Sequence, residues 1–288
     1  MNVLVTGGSG FIGSHVVDKL VEAGHRVRVL DIKGPHRNDV DFVRGDIISR
    51  PVIAEALGGI EAVYHIAGFS NINLVKDRPV QTIELNVLGT AYLLEESRKK
   101  GVKRFLLASS VYAHSRNGHL YTTSKLVSEM LCKDYHTLYS LPYTVLRYGT
   151  AYGPRSREAD VVSIFITRAL KGEDIVIHGS GRQKRNFIYV EDLAAGSVAA
   201  LEDIGKNKTY VFAGTDAISI RELANTVNKV FDNHLKIKTD AAEEREDDYQ
   251  GEISDLEMTM SELKWKPETL LAEGIKKYGD WYSRKELK

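Results

Sequence analysis

The segment Thr6-Gly7-Gly8-Ser9-Gly10-Phe11-Ile12-Gly13 constrains this chain more than any other. It joins the apolar run Val3-Leu4-Val5, which reads as a strand, to a helix expected over Gly10 to Ala23. Gly7, Gly10 and Gly13 thus punctuate a strand-to-helix turn. Glycine allows the turn to be tight, lets the backbone approach a pyrophosphate, and lets the helix pack closely on its strand. The helix start adds free N–H groups and a positive dipole end. A second strand, Val27 to Leu30, ends at Asp31, 18 residues after Gly13. A carboxylate there accepts hydrogen bonds from the adenosine ribose hydroxyls and repels a 2′-phosphate. The pattern predicts dinucleotide binding, with NAD favoured over NADP. Asp31 also reads as a turn aspartate ahead of Gly34-Pro35.

The rest of the first half repeats the strand-then-helix theme. Strands are expected over Ala62 to Ile66, Phe105 to Ala108 and Tyr143 to Leu146. One long helix is expected from Pro79 to Lys100, stopped by Gly101, and another from Tyr121 to Leu138. Such alternation predicts parallel strands with crossover helices, and the continuous apolar strands suit a sheet covered on both faces. The fold class expected is α/β: a Rossmann-type doubly wound parallel sheet with a smaller α/β substrate-binding C-terminal domain.

After Gly153-Pro154 the pattern loosens. Helices are expected over Val161–Lys171, Glu191–Leu201, Ser219–Phe231 and Thr269–Arg284, with a short strand at Ile175–Ile177. Ala241 to Asp248, acidic apart from Arg245, reads as a solvated loop. The division expected is 1–153 for the cofactor domain, with return segments near 186–213, and mainly 154–288 for substrate.

With 39 basic and 39 acidic residues the formal net charge is zero, so no global field draws the chain to nucleic acid or an anionic membrane. No apolar run approaches membrane-spanning length. The first residues enter a strand without a signal-type segment, and Cys132 is the only cysteine. No intrachain disulfide or multi-cysteine metal site is possible, and a cytoplasmic location without a metal is expected.

Tyr121 and Lys125 lie four apart at a helix start and share a face. A phenol is a poor base at neutral pH, but a nearby ammonium favours the phenolate. Tyr121 is thus a candidate proton acceptor from a substrate hydroxyl. The glycine motif, Ser109-Ser110 after a strand, and Tyr121-x-x-x-Lys125, in that order, resemble the extended short-chain dehydrogenase/reductase family. The closer similarity is to its NAD-dependent nucleotide-sugar epimerase/dehydratase branch.

The resemblance implies NAD as cofactor and a nucleotide diphosphate sugar as substrate. It makes Tyr121 the acid/base, Lys125 the group that orients the ribose and lowers the tyrosine pKa, and Ser110 the hydrogen-bond partner of the reacting hydroxyl, with Ser109 the fallback. It assigns cofactor contacts to Gly7, Gly10, Phe11, Ile12 and Gly13, to Asp31, to Asp46 and Ile47, and to Ala67 and Gly68. Asn86, Ser109, Tyr121, Lys125 and Tyr148 complete that set. Thr150, Arg185 and Arg245 join Ser110 on the substrate side. The planar guanidinium fork of an arginine suits a diphosphate. The resemblance further implies a homodimer paired through the 79–100 and 121–138 helices.

The departures from the family pattern fall on the substrate side. Only eleven positions separate Ser110 from Tyr121, and Thr150 stands where the family carries Asn. The short loop holds His114, Arg116 and His119 but no acidic residue. That disfavours a dehydratase of the usual kind, which needs an extra carboxyl acid and base. The expected activity is a nucleotide-sugar 4-epimerase working through a 4-keto sugar with hydride passed to and from bound NAD. A decarboxylase, dehydratase or reductase built on the same 4-keto chemistry is the alternative, and a non-catalytic NAD-binding sensor or scaffold a further one.

Overall fold

The computed structural model describes residues 1–70, 72–114, 120–232, 234–240 and 253–286. β1 (Asn2–Thr6) leads into α1 (Phe11–Glu22), and the chain returns beside β1 as β2 (Arg26–Asp31). β3 (Asp41–Arg44), α2 (Arg50–Ala56) and β4 (Ala62–His65) follow. Next come α3 (Ile72–Val75), α4 (Pro79–Ile83), α5 (Gly89–Lys99), β5 (Arg104–Ser110), α6 (Leu120–Tyr139) and β6 (Tyr143–Tyr148). β7 (Thr150–Tyr152), α7 (Val161–Lys171), β8 (Ile175–Ile177), β9 (Lys184–Arg185), β10 (Phe187–Tyr189) and α8 (Val190–Ala199) continue the chain. It closes with β11 (Lys208–Phe212), β12 (Ile218–Ser219), α9 (Ile220–Val230), β13 (Ile237–Thr239), α10 (Leu256–Leu263) and α11 (Leu271–Glu286).

Seven strands form one sheet in the order β11-β6-β5-β4-β1-β2-β3, every neighbouring pair parallel. All residues of β4 and β5 are buried, as strands covered on both faces must be. Successive residues serve opposite layers. Leu106 and Ala108 pack with Val16 and Leu20 of α1 and Leu193 of α8. Phe105 and Leu107 pack with Leu93 and Leu94 of α5 and Cys132 of α6. This is the doubly wound Rossmann-type sheet that the alternation predicts. Chain order reverses across β1, whose neighbours are β2 and β4. The carboxyl ends of β1 and β4 therefore flank a crevice of the kind in which such sheets bind ligands.

A second core, centred on Phe165, Ile166, Leu223, Val227, Ile275 and Tyr278, joins α7, α9 and α11 with β8. α9 starts at a reciprocal cap in which the Ser219 hydroxyl accepts from Glu222 N–H and the Glu222 carboxylate accepts from Ser219 N–H. β11 carries the chain back from this region to the edge of the large sheet, pairing with β6.

The long helix expected over 79–100 is interrupted. A π-helical turn, Glu84–Leu88, separates α4 from α5. The Asn86 carbonyl in that turn accepts from Thr90 Oγ1 at 2.6 Å and from Ser128 Oγ of α6 at 2.8 Å. The wider turn turns a backbone acceptor toward side-chain donors, and apolar periodicity does not register it. β3, α2, β11 and α10 carry no sequence expectation. They are short, and β3 offers only Phe42 and Val43 as consecutive apolar residues.

Candidate active site

A cavity of about 1260 Å³ opens over the carboxyl ends of the central strands and reaches into the second core. At one end its wall is the glycine turn. Gly7 has φ +72°, and a Cβ there would lie 2.7 Å from Ala67 N. A Cβ on Gly13 would lie 2.1 Å from Gly7 O. Both positions exclude a side chain, by backbone conformation at the first and by close approach at both. The N-cap of α1 is Gly10, which has no side chain to cap the first-turn N–H groups. Phe11, Ile12 and Gly13 thus begin a helix whose donors face the cavity.

Asp31, Asp46, Ile47, Ala67 and Gly68 continue this wall. Asp31 answers to both of its sequence readings. Its carboxylate accepts from Ser9 N–H and Lys33 N–H, each at 3.0 Å, while the residue also lines the cavity. Each oxygen keeps a further lone pair for a ligand. An uncapped helix start, glycine-thin backbone and an acidic strand end fit the pyrophosphate and ribose of NAD.

Asn86 is placed elsewhere. It is buried, its Oδ1 accepts from Phe69 N–H at 2.7 Å, and its amide donates to Phe69 O and Ser124 Oγ. It is not among the cavity-lining residues. The side chain fastens the loop after β4 to the π turn.

Tyr121, Lys125, Ser110, Ser109 and Tyr148 share the cavity floor. Their partners distinguish the two serines. Ser110 forms a side-chain hydrogen bond with Tyr121. Ser109 Oγ donates instead to Glu129 Oε1 at 2.5 Å. The Tyr148 hydroxyl is 2.9 Å from Ser197 Oγ.

Burial pushes the Tyr121 phenol up to about 12, opposed by the Ser110 hydrogen bond. Lys125 Nζ lies 5.9 Å from the Tyr121 ring centroid. Within the chain itself desolvation is the largest influence on the phenol, because both groups are buried together. Lys125 Nζ donates to Ala108 O at 2.9 Å, and burial brings its pKa down to about 8. His65, at the end of β4, is held near 3 by burial and then by Lys125, so it stays neutral between Thr6 Oγ1 and Thr90 Oγ1.

The far end of the cavity is lined by side chains. Thr150 lies on β7 and Arg185 on β9, the latter half-buried with Nη1 donating to Lys184 O. Arg245, Arg116 and His119 lie outside the described residues, as does the His114 side chain. Arg155 turns back to α1, where Nη2 donates to Asp18 Oδ2 at 2.6 Å. It is Arg157 that lines the cavity, beside Asp160 and within electrostatic reach of Tyr121. Arg168, His178 and Gln183 also reach the cavity and were not singled out. The second arginine of Gly153-Pro154-Arg155-Ser156-Arg157 was the available signal. Among the described residues no acidic, histidine or cysteine cluster suits a metal, and no helix is long and apolar enough to cross a membrane.

Residues 3–213 match the profile of the NAD dependent epimerase/dehydratase family. A Methanocaldococcus jannaschii protein provisionally named UDP-glucose 4-epimerase is 33% identical, with 97% of each chain covered. UDP-glucuronic acid decarboxylase 3 of Arabidopsis thaliana is 32% identical, over 96% of this chain and 87% of that one. The crystal structure of Thermotoga maritima UDP-glucose 4-epimerase with UDP-glucose superposes with a TM-score of 0.92 at 31% identity, covering 100% of both chains.

Proposed function

The chain belongs to the NAD-dependent epimerase/dehydratase family, with NAD as its cofactor, and from that premise we propose that it is a nucleotide-sugar 4-epimerase acting on a UDP-hexose or a relative. The observation that carries the reading is the meeting of Tyr121, Ser110 and Lys125 on the floor of a cavity that runs from the glycine turn to Arg185. When bound, NAD supplies reversible redox chemistry at the sugar C4. Gly7, Gly10, Phe11 and Ile12 hold its pyrophosphate, and Asp31 its ribose.

Tyr121 takes the proton from the sugar O4 as C4 becomes a ketone, and returns it when the hydroxyl re-forms. Ser110 hydrogen-bonds the same oxygen. Lys125 orients the nearby ribose and, as a cation, favours the phenolate once a positive cofactor ring adds its field. Arg185 and Arg245 pair with the diphosphate. Between the two hydride transfers the keto sugar turns over and presents its other face. We assign residues 1–153, with the return near 186–213, to cofactor binding, and mainly 154–288 to substrate binding.

The similarity to a UDP-glucuronic acid decarboxylase supports a second reading, in which the same ketone promotes loss of CO2. A sensor or scaffold without activity is less well supported, since Ser110, Tyr121 and Lys125 are all retained and converge. A panel of UDP-, dTDP-, GDP- and CDP-sugars, followed by product NMR, tests these readings. Epimerisation yields the C4 epimer with neither CO2 nor net reduced cofactor. Tyr121→Phe should abolish turnover while NAD remains bound. Full activity in that variant would falsify the mechanism.

A homodimer is part of the proposal. Val80 on α4, and Met130 and Leu138 on α6, are respectively 68%, 60% and 68% exposed, a density of bare apolar side chains that suits pairing of the 79–100 and 121–138 helices. Light scattering of the purified protein checks it.

A further inference from the structure

A buried ion pair lies behind the reacting groups and has no part in the chemistry above. Tyr121, Lys125 and Glu129 stand at successive steps of four along α6, so the three share one helix face, and all are buried. Its carboxylate accepts from Arg147 Nε at 2.9 Å and from Arg147 Nη2 at 2.7 Å. It also accepts from Ser109 Oγ. Arg147 stands on β6 directly opposite Ser109 on β5.

Lys125 needs support of this kind. Its ammonium is out of water with the Ala108 carbonyl as a neutral partner. A buried ammonium tends to shed its proton, and then loses the charge that favours a phenolate. The groups facing it are few. Its own helix presents Tyr121 and Glu129, β4 presents neutral His65, and β5 presents the Ala108 carbonyl. The Gly68 backbone lies close by, next to the Asn86 amide. Among these described groups Glu129 alone is negative, and Arg147 lies behind it. Ser109 adds a second link. A carboxylate that grips Ser109 holds the end of β5 on which the next residue, Ser110, meets Tyr121.

We propose that Glu129 and Arg147 are positioning residues: Glu129 keeps the Lys125 amine charged and, by holding Ser109, fixes the strand end that carries Ser110, while Arg147 limits how strongly Glu129 acts. The inference rests on the reading of Tyr121, Ser110 and Lys125 as the reacting groups. It predicts opposite effects from two nearly isosteric changes. Glu129→Gln removes the anion and leaves Arg147 positive, so Lys125 should lose its proton at lower pH. Arg147→Met leaves the anion unopposed, so Lys125 should hold its proton to higher pH.

The direct readout is a ¹³C NMR titration of the full chain, with and without NAD, labelled at lysine Cε. The Lys125 signal is identified by its disappearance in Lys125→Met. The expected shifts are about one pH unit, or tenfold in proton affinity, downward for Glu129→Gln and upward for Arg147→Met. The alkaline limb of kcat/KM should move in the same two directions. If either single variant fails to fold, Glu129→Gln/Arg147→Met removes both charges and should shift the midpoint downward, by less than Glu129→Gln does where that variant folds. An unmoved midpoint, or equal shifts of one sign in both single variants, overturns the proposal, since a merely structural pair would lower activity without moving the titration. The NMR arm needs no turnover. A panel of sugars without any conversion would sink the epimerase reading and leave the titration result standing.

Discussion

The two ends of the cavity are built from different materials. At the glycine end the wall is largely backbone: Gly7, Gly10 and Gly13 and the first turn of α1. At the far end it is largely side chain: Arg157, Asp160, Arg168, His178 and Arg185, carried on a loop, a helix and short strands. A backbone site is determined by where the chain can turn, and glycines announce that. A side-chain site depends on which way each residue of a loop happens to face. Arg155 and Arg157 stand two apart, yet one is bound to Asp18 on α1 and the other enters the cavity.

The sharpest way to break this comparison is to put a side chain into the backbone wall. Gly13→Val places carbon where 2.1 Å separates a Cβ from Gly7 O. NAD affinity by calorimetry should fall by more than about 100-fold. Near-native affinity would mean that the wall is not a close backbone approach. At the other end, Arg185→Ala should raise KM for the nucleotide sugar by about 10- to 100-fold, the range of a lost charged hydrogen bond, with kcat little changed. The NAD dissociation constant should stay put, and if it moves along with KM the two ends are not separable.

Asp31→Asn tests the one side chain on which the glycine end depends. Losing the negative charge should shift the NADP-to-NAD affinity ratio toward NADP by about tenfold. The ratio should not move if Asp31 serves only Ser9 and Lys33.

The smallest effect concerns stability where the two ends meet. The pKa of Lys125 in the fold, about 8, lies below the ordinary lysine value of 10.5. Between those values the unfolded chain holds more protons. The charged lysine therefore destabilises the fold fully below about pH 8, and the penalty fades as pH rises toward 10.5. Lys125→Met should melt above the parent at pH 7, by roughly 2–4 °C for each kcal/mol relieved, and the gap should narrow at pH 10. Thermal melts at the two pH values decide it. A gap that widens instead would exclude burial of the ammonium as the source.

The same contrast explains what the sequence made legible. The strand, glycine turn and helix of the first half carry periodicities and turn residues whose physics is local. The convergence of Ser110, Tyr121 and Lys125 was readable because a strand end and a helix start each fix where a side chain sits. The part Asn86 takes in fixing the loop after β4 depends on a π turn, which leaves no trace in apolar spacing. Lys125 was expected to lower the tyrosine pKa; the opposing push of burial is a tertiary property that residue spacing does not register. Glu129 and Arg147 meet only when α6 packs beside β6, so neither drew notice.

β11, the last strand of the large sheet, pairs with β6 only after the chain has left that sheet for the stretch from Thr150 to Asn207, of which β7, α7, β8 and β10 contribute to the second core. During synthesis the residues that react, all complete by Lys125, wait in a sheet whose edge at β6 is unsealed. Thr144 must find Lys208 across an excursion of more than sixty residues before that edge closes. An unfinished chain would expose β6 as an open template for strand pairing, and newly made protein should be most prone to self-association at that stage.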